Sequence, residues 1–262
     1  MRVHHAVAGV LRPRFAAPAV CHVLVVEHEA GLVLVDTGLG TADLADPRRL
    51  GPVGRMLRPD RDPSTTALAA VLALGHSATD VTHVVVTHLD FDHAGGLSDF
   101  PQAVLHTTAT EWAAATVATH APERLRYRPV QWATTSDVRR HAGPGEPWRD
   151  GLSGHEVLPG IVLVPMAGHT RGHAAVAVEG DAGLVVHAGD AAFDASTFGA
   201  CDPGTGEVLG KLPALRAFET VACRQPWRLR RNHAALRRLD ADPAVTVVTA
   251  HDPRQLPVDA EV

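Results

Sequence analysis

The sequence is poor in aromatic residues and almost devoid of lysine: six Phe, four Trp and one Tyr make up 4% of its 262 positions, and Lys211 stands alone. A core must therefore come from Val, Leu and Ala, and a hydrophobic content of 45% is enough to exclude a disordered chain. No apolar run approaches the roughly 20 residues of a membrane-spanning helix. Arg12, Pro13 and Arg14 interrupt the stretch a secretory signal would need. The three cysteines, Cys21, Cys201 and Cys223, are odd in number and irregularly spaced, which fits neither a disulfide framework nor a Cys-based zinc motif. A reducing cytoplasm is the expected location. The formal charge of -5 argues against a partner held by phosphate contacts. The arginine-rich stretch 224–238 reads as the solvated face of a helix. The expectation is a small-molecule substrate, with no nucleic acid and no membrane, and self-association is left open. Without linker, repeat or charge run, residues 1–262 are expected to form one domain.

What the sequence does have is alternation of short apolar runs with polar turns. Residues 20–26 and 32–35 flank a polar turn ending in Gly31 and predict a β-hairpin; 81–86, 103–106, 161–164, 174–178, 184–186 and 245–249 predict further strands. Helices are predicted at 64–74, with Ser64 as the N-cap, at 108–118, with Thr108 and Glu111 as a capping box, and at 212–223 and 227–239. Residues 38–63 read as a long irregular loop, a candidate pocket rim, and 120–154 carries too many Pro, Gly and Arg to assign. Strands and helices in this order indicate an α/β layered fold.

The other excess is histidine, seventeen residues in all. Position decides what they mean. In Thr87-His88-Leu89-Asp90-Phe91-Asp92-His93-Ala94-Gly95-Gly96, four ligand-type side chains fall within six residues directly after a buried strand. Burying two carboxylates and two imidazoles without partners costs several kcal/mol per ion, roughly, even after relaxation. Coordination of a metal removes that penalty. His169, Asp190 and His251 each follow the end of another apolar strand, where sheets of this kind gather their binding loops.

These residues resemble the signature of the metallo-β-lactamase-fold hydrolases, His-x-His-x-Asp-His followed by Gly-His, an Asp after a strand and a final His. The match is made by His88, Asp92, His93, His169, Asp190 and His251, with Asp36-Thr37-Gly38 as a further shared feature, over about residues 20–252. The resemblance implies a four-layer αβ/βα sandwich with metals at one edge. It implies two divalent ions, zinc by default: one held by His88, Asp90 and His169, the other by Asp92, His93 and His251, with Asp190 between them. Asp92 and Asp190 then belong to the catalytic set, Asp36 and Thr170 orient ligands, and a hydroxide shared by the metals is the nucleophile. Asp90 departs from the pattern, standing where the second His is usual. Being a harder, anionic ligand, it would weaken the site's power to acidify water and favour Mn or Fe.

The run Phe91 to Gly96 is most similar to the acyl-homoserine-lactone lactonases of this fold, which implies cleavage of a small ester or lactone. Those enzymes place a Tyr three residues after the bridging Asp, where this chain has Phe193, so Phe91 and Phe193 are expected to meet the substrate. Thioester or phosphodiester hydrolysis and iron-dependent oxygenation are the alternatives within the fold. A non-enzymatic metal-binding regulatory module is the alternative outside it.

Overall fold

The computed structural model describes residues 1–14, 17–117 and 120–256. Its first half carries β1 (Arg2–Leu11), β2 (Ala19–His28), β3 (Gly31–Val35), β4 (Val81–Val85), β5 (Val104–Thr108) and β6 (Val138–His141). The second carries β7 (Glu146–Pro147), β8 (Ser153–Leu158), β9 (Ile161–Pro165), β10 (Ala174–Gly180), β11 (Gly183–His187) and β12 (Val245–Val248). These strands form two six-stranded sheets, ordered β1-β2-β3-β4-β5-β6 and β12-β11-β10-β9-β8-β7. The expected hairpin is present, with Leu24 opposite Val35. From β3 to β6 the pairing is parallel, and β12 runs parallel to β11.

The helices are α1 (Thr41–Ala45), α2 (Gly51–Leu57), α3 (Ala67–Ala73), α4 (Phe91–Ala94), α5 (Ala109–Val117), α6 (Ala121–Arg126), α7 (Pro213–Ala222) and α8 (Leu229–Asp240). Side chains alternate across each strand, so a strand of small apolar residues can serve two cores at once. Leu24 and Val26 of β2 meet Val176 and Val178 of β10 between the sheets, while Val23 and Val25 point the other way, into the cluster beneath α3 and α5. Ala175 and Ala177 of β10 likewise pack with Ala235, Leu236 and Leu239 of α8. Helix, sheet, sheet, helix is the four-layer α/β sandwich expected. No helix among the described residues is long and apolar enough to cross a membrane.

Several local expectations are corrected. The cap of α3 is Thr66, whose hydroxyl accepts from Ala69 N at 3.0 Å, whereas Ser64 bonds Asp62. Residues 38–63 are partly helical, holding α1 and α2. Position 118, the end expected for α5, lies outside the described residues. All three cysteines are free.

His83, His106 and His141 lie side by side on β4, β5 and β6, linked ring to ring at 3.0 and 3.1 Å. A chain of imidazoles in which each accepts from one neighbour and donates to the next requires neutral rings. Burial, reinforced by the neighbouring histidines, pulls His106 down to about 4. Its folded pKa thus lies below the unfolded value of about 6.5, so its contribution is intact above that pH and is lost as pH falls towards 4. Urea unfolding of the metal-free protein should show stability declining over this window, and less steeply in His106→Gln. Equal slopes for the two proteins would rule out the ladder as an acid-sensitive element.

Candidate metal centre

The segment after β4 reaches its shape by dividing apolar from polar side chains residue by residue. Leu89 is buried in the cluster beneath α3 and α5, and Phe91 in the cluster with Leu39, Leu44 and Leu57. Around these anchors, His88 and Asp90 turn towards the ligands of the opposite sheet, and the single helical turn of α4 carries Asp92 and His93 after them. The Gly95-Gly96 pair is required by close packing: a Cβ on Gly96 would lie 2.6 Å from Thr37 O, and one on Gly95 2.3 Å from an Asp43 carboxylate oxygen. Asp190 arrives from β11 through Gly189, whose φ of +51° suits glycine and whose Cβ would press on Thr87 at 2.7 Å.

Two groups of buried ligand atoms result, His88 with His169 and Asp190, and Asp92 with His93 and His251. Asp190 stands between them. Its Oδ1 is 3.3 Å from His93 Nε2 and 3.2 Å from His251 Nε2; its Oδ2 is 3.1 Å from His169 Nε2 and 3.7 Å from His88 Nε2. Asp90 joins the first group, with Oδ2 at 3.2 Å from His88 Nε2 and 3.0 Å from His169 Nε2. Ligand atoms about 2.1 Å from a shared tetrahedral centre are spaced by roughly 3.4 Å, so both groups have the spacing a divalent ion needs. His88 Nε2, His93 Nε2 and Asp190 Oδ1 are buried without a hydrogen-bond partner, the signature of donors awaiting a cation. The residues present therefore fit the metals that their chemistry suggests.

Three of the four rings are aimed from behind, while His169 Nδ1 is buried without a partner among the described residues. His93 Nδ1 donates to Asp36 Oδ2 at 2.8 Å, His251 Nδ1 to Val20 O at 2.8 Å, and His88 Nδ1 faces Thr87 Oγ1 at 3.0 Å. Asp36 also accepts from Thr87 N and Oγ1 at 2.7 and 2.8 Å. Burial opposes its charge, yet His93 overrides that and holds its carboxyl below the usual range. Asp190 behaves alike: burial raises it, and His251, His93 and His169 together bring it well down. Burial, aided by the charge of His93, pulls His88 to about 4, so that ring is neutral, as a ligand must be. His173 is structural: its Nε2 accepts from Asp190 N at 2.9 Å while Nδ1 donates to Met166 O.

Thr170, expected to orient a ligand, has its hydroxyl on Glu111 Oε2 at 2.6 Å instead. Glu111 is the residue that sequence reasoning misassigned. Rather than reaching back to its own helix start, its buried carboxylate accepts from Leu89 N and Tyr127 OH, each at 3.0 Å, from Thr170 Oγ1, and from Gly172 N at 3.3 Å. It ties together the two loops that carry His88 and His169. Arg126 was missed altogether: its Nε meets Asp90 Oδ1 and Oδ2 at 2.6 and 2.8 Å, and its Nη2 lies against His169 Nε2.

A cavity of about 290 Å³ opens onto Asp90, Asp92, Asp190 and His251. Phe91 and Phe193 line it, and its outer wall is apolar, with Met56, Leu125 and Val221 65, 63 and 83% exposed. Leu89 and Phe198, also apolar neighbours of the centre in sequence, are consumed by core clusters instead. Arg171 points to Glu123 at 2.5 Å, and the arginines lining the cavity are Arg126 and Arg224.

Comparison with known proteins adds three findings. A family model described as the metallo-beta-lactamase superfamily matches residues 16–251. A probable metallo-hydrolase of Mycobacterium tuberculosis is 44% identical over 262 residues, covering 97% of this chain and 81% of its own, and an N-acyl homoserine lactonase of Bacillus cereus is 25% identical over 185 residues, covering 69% and 66%. Among solved structures, an N-acyl homoserine lactone hydrolase with the product N-hexanoyl-L-homoserine at its catalytic metal centre superposes with a TM-score of 0.71 at 20% identity, covering 97% of this chain and 94% of its own.

Proposed function

Because this chain belongs to the metallo-beta-lactamase superfamily and is a metallo-hydrolase of lactonase-like type, we propose that it cleaves a small ester or lactone carrying an apolar acyl group. The observation that carries this reading is the cavity, whose floor is Asp90, Asp92, Asp190 and His251 and whose walls are Phe91, Phe193, Phe218 and the exposed apolar faces of α2, α6 and α7. Such walls take up an aliphatic chain from water at about 25 cal/mol per Å² and leave orientation to a few polar contacts. The lactonase names of the Bacillus cereus relative and of the superposed structure point the same way.

His88, Asp90, His169 and Asp190 would hold one divalent ion, zinc by default, and Asp92, His93, His251 and Asp190 the other. Bound there, the ions supply a water acidified towards about pH 7 and a Lewis acid for the carbonyl oxygen. The chain does the rest. Phe193, 4.8 Å from the His251 ring and 5.5 Å from that of His169, keeps bulk water off the centre from one side. Asp92 lines the cavity, and a carboxylate that gives one oxygen to an ion keeps the other to pass a proton to the departing alcohol.

Phosphate esters are disfavoured on an observation of charge. Of the two arginines in the cavity, Arg126 is committed to Asp90, and Arg224 is left as the one guanidinium without a carboxylate partner among the described lining residues. A phosphoryl group meets several such donors where it is a substrate. One arginine suits a single carbonyl or carboxylate on the substrate. Small substrates, no nucleic acid, no membrane and a cytoplasmic setting complete the reading.

A panel of aliphatic lactones, aryl esters, thioesters and aryl phosphodiesters, assayed with Zn²⁺ or Mn²⁺, tests this. Specificity constants should be highest for lactones or esters and rise with acyl length, and Arg224→Ala should raise KM by about ten-fold, near 1.4 kcal/mol, with little change in kcat. A phosphodiester turned over far better than any lactone or ester would overturn the proposal.

A further inference from the structure

Three carboxylates crowd one buried centre, those of Asp90, Asp92 and Asp190. Asp90 is the member that stands where the signature of the fold has an imidazole, and a plain exchange of His for Asp would add a negative charge to the site. The structure shows where that charge goes. Arg126, the last residue of α6, sends Nε to both oxygens of Asp90, Nη1 to the carbonyls of Ala222 at 2.9 Å and His169 at 3.2 Å, and Nη2 against the His169 ring. Its side chain is only 15% exposed, and a guanidinium cannot give up its proton in such a place.

We propose that Arg126 is a positioning and charge-compensating residue for the metal centre: with Asp90 it forms a pair that acts as one neutral ligand beside His88, His169 and Asp190. The charge balance supports it. Three carboxylates and one guanidinium sum to the same net charge as two carboxylates and a neutral imidazole. The geometry supports it too, because Arg126 Nε bonds both oxygens of Asp90 while Oδ2 stays within 3.0 and 3.2 Å of the two ligand imidazoles. Nε on the carboxylate and Nη1 on two backbone carbonyls hold the rigid guanidinium, and with it Nη2 against His169 Nε2, so the His169 ring has to turn away from Nη2 to present that nitrogen to a cation. Arg126 also links Asp90 of the first sheet's loops to His169 and Ala222 of the second's. A consequence runs against simple analogy: restoring the customary histidine should harm the site, because Asp90→His strips Arg126 of its partner and leaves a bare cation beside the ligands.

The inference rests on the metal-centre reading, and the test separates the two. Metal-free protein is titrated with Zn²⁺, and the number and affinity of sites are read for wild type, Asp90→His, Asp90→His with Arg126→Gln, and Asp90→His with Arg126→Lys. Asp90→His should weaken one site by about ten- to a hundred-fold. Adding Arg126→Gln should restore most of the loss, and adding Arg126→Lys should not, since the cation remains. Should Asp90→His not fold, Asp90→Asn leaves the same cation unpaired and serves in its place. The pairing is overturned if Asp90→His binds Zn²⁺ as wild type does, if Gln and Lys rescue equally, or if Arg126→Gln alone gains a site that wild type lacks, which would make the guanidinium a plug. A wild type that takes up no Zn²⁺ overturns the metal-centre reading beneath it.

Discussion

Asp190→Asn should strip metal and activity together, lowering kcat/KM by at least about a thousand-fold, roughly 4 kcal/mol of transition-state stabilisation. The substitution keeps the shape of the side chain and the bond from its backbone N–H to His173 Nε2, so the metal-free fold should melt within a few degrees of wild type. What changes is the donor set. Oδ1 faces His93 and His251, and Oδ2 faces His169 and His88. An amide nitrogen has no lone pair to offer, so whichever way Asn turns, one group meets an NH₂ where it needs an oxygen, and both lose a charge. Metal analysis after dialysis should show less than half the wild-type content. A variant that keeps its full complement and turns over substrate normally would contradict the placement of Asp190 between the two groups.

Glu111→Ala should be the most damaging substitution outside the ligands, destabilising the protein by about 3–5 kcal/mol. Its carboxylate gathers the Leu89 and Gly172 amides and the Thr170 and Tyr127 hydroxyls in a fully buried place. Removal leaves those donors facing a void, each short of a partner it cannot find in water. Leu89 lies between two ligands and Thr170 follows a third, so Zn²⁺ affinity should fall as well, by about ten-fold or more. Glu111→Gln, which keeps one acceptor, should lose well under half as much stability. Chemical denaturation of the three metal-free proteins decides it, and an unchanged midpoint for Glu111→Ala would show that the hub carries no load.

These two cases mark what the sequence makes legible. The ligands could be read because each is a polar residue in an improbable place, just past a buried strand, and the improbability of seven such placements points to a shared cation. The inner strands could be read because β2, β3, β9 and β10 carry apolar residues on both faces and β4 ends in a run of valines. By contrast β6, β7 and β8 are edge or near-edge strands with exposed and half-buried residues, and leave no alternating signal. α1 and α2, five and seven residues long and opened by Thr41 or Gly51-Pro52, are too short to show a helical period. Glu111 was legible as a helix-start residue only because local rules see four residues at a time. Its actual partners lie from 16 to 61 positions away. Arg126 is hidden for the same reason, 36 residues from Asp90 in a stretch crowded with other arginines. Charge compensation across a fold has no spacing to recognise.

The division of the strands has a bearing on how the molecule comes together. Asp36, His88, Asp90, Asp92 and His93 hang from the sheet built by β1 to β6, and His169, Asp190 and His251 from the sheet built by β7 to β12. Neither half owns a complete cradle, for each ligand group draws on both. A cation held there would act as a rivet through two plates that the apolar seam between Leu24, Val26, Val176 and Val178 must first bring face to face. Uptake would then follow the closing of the seam, and its binding free energy would add to the stability of the closed pair of sheets. A chelator should act on the same joint in reverse, loosening the seam between the halves before it disturbs either sheet.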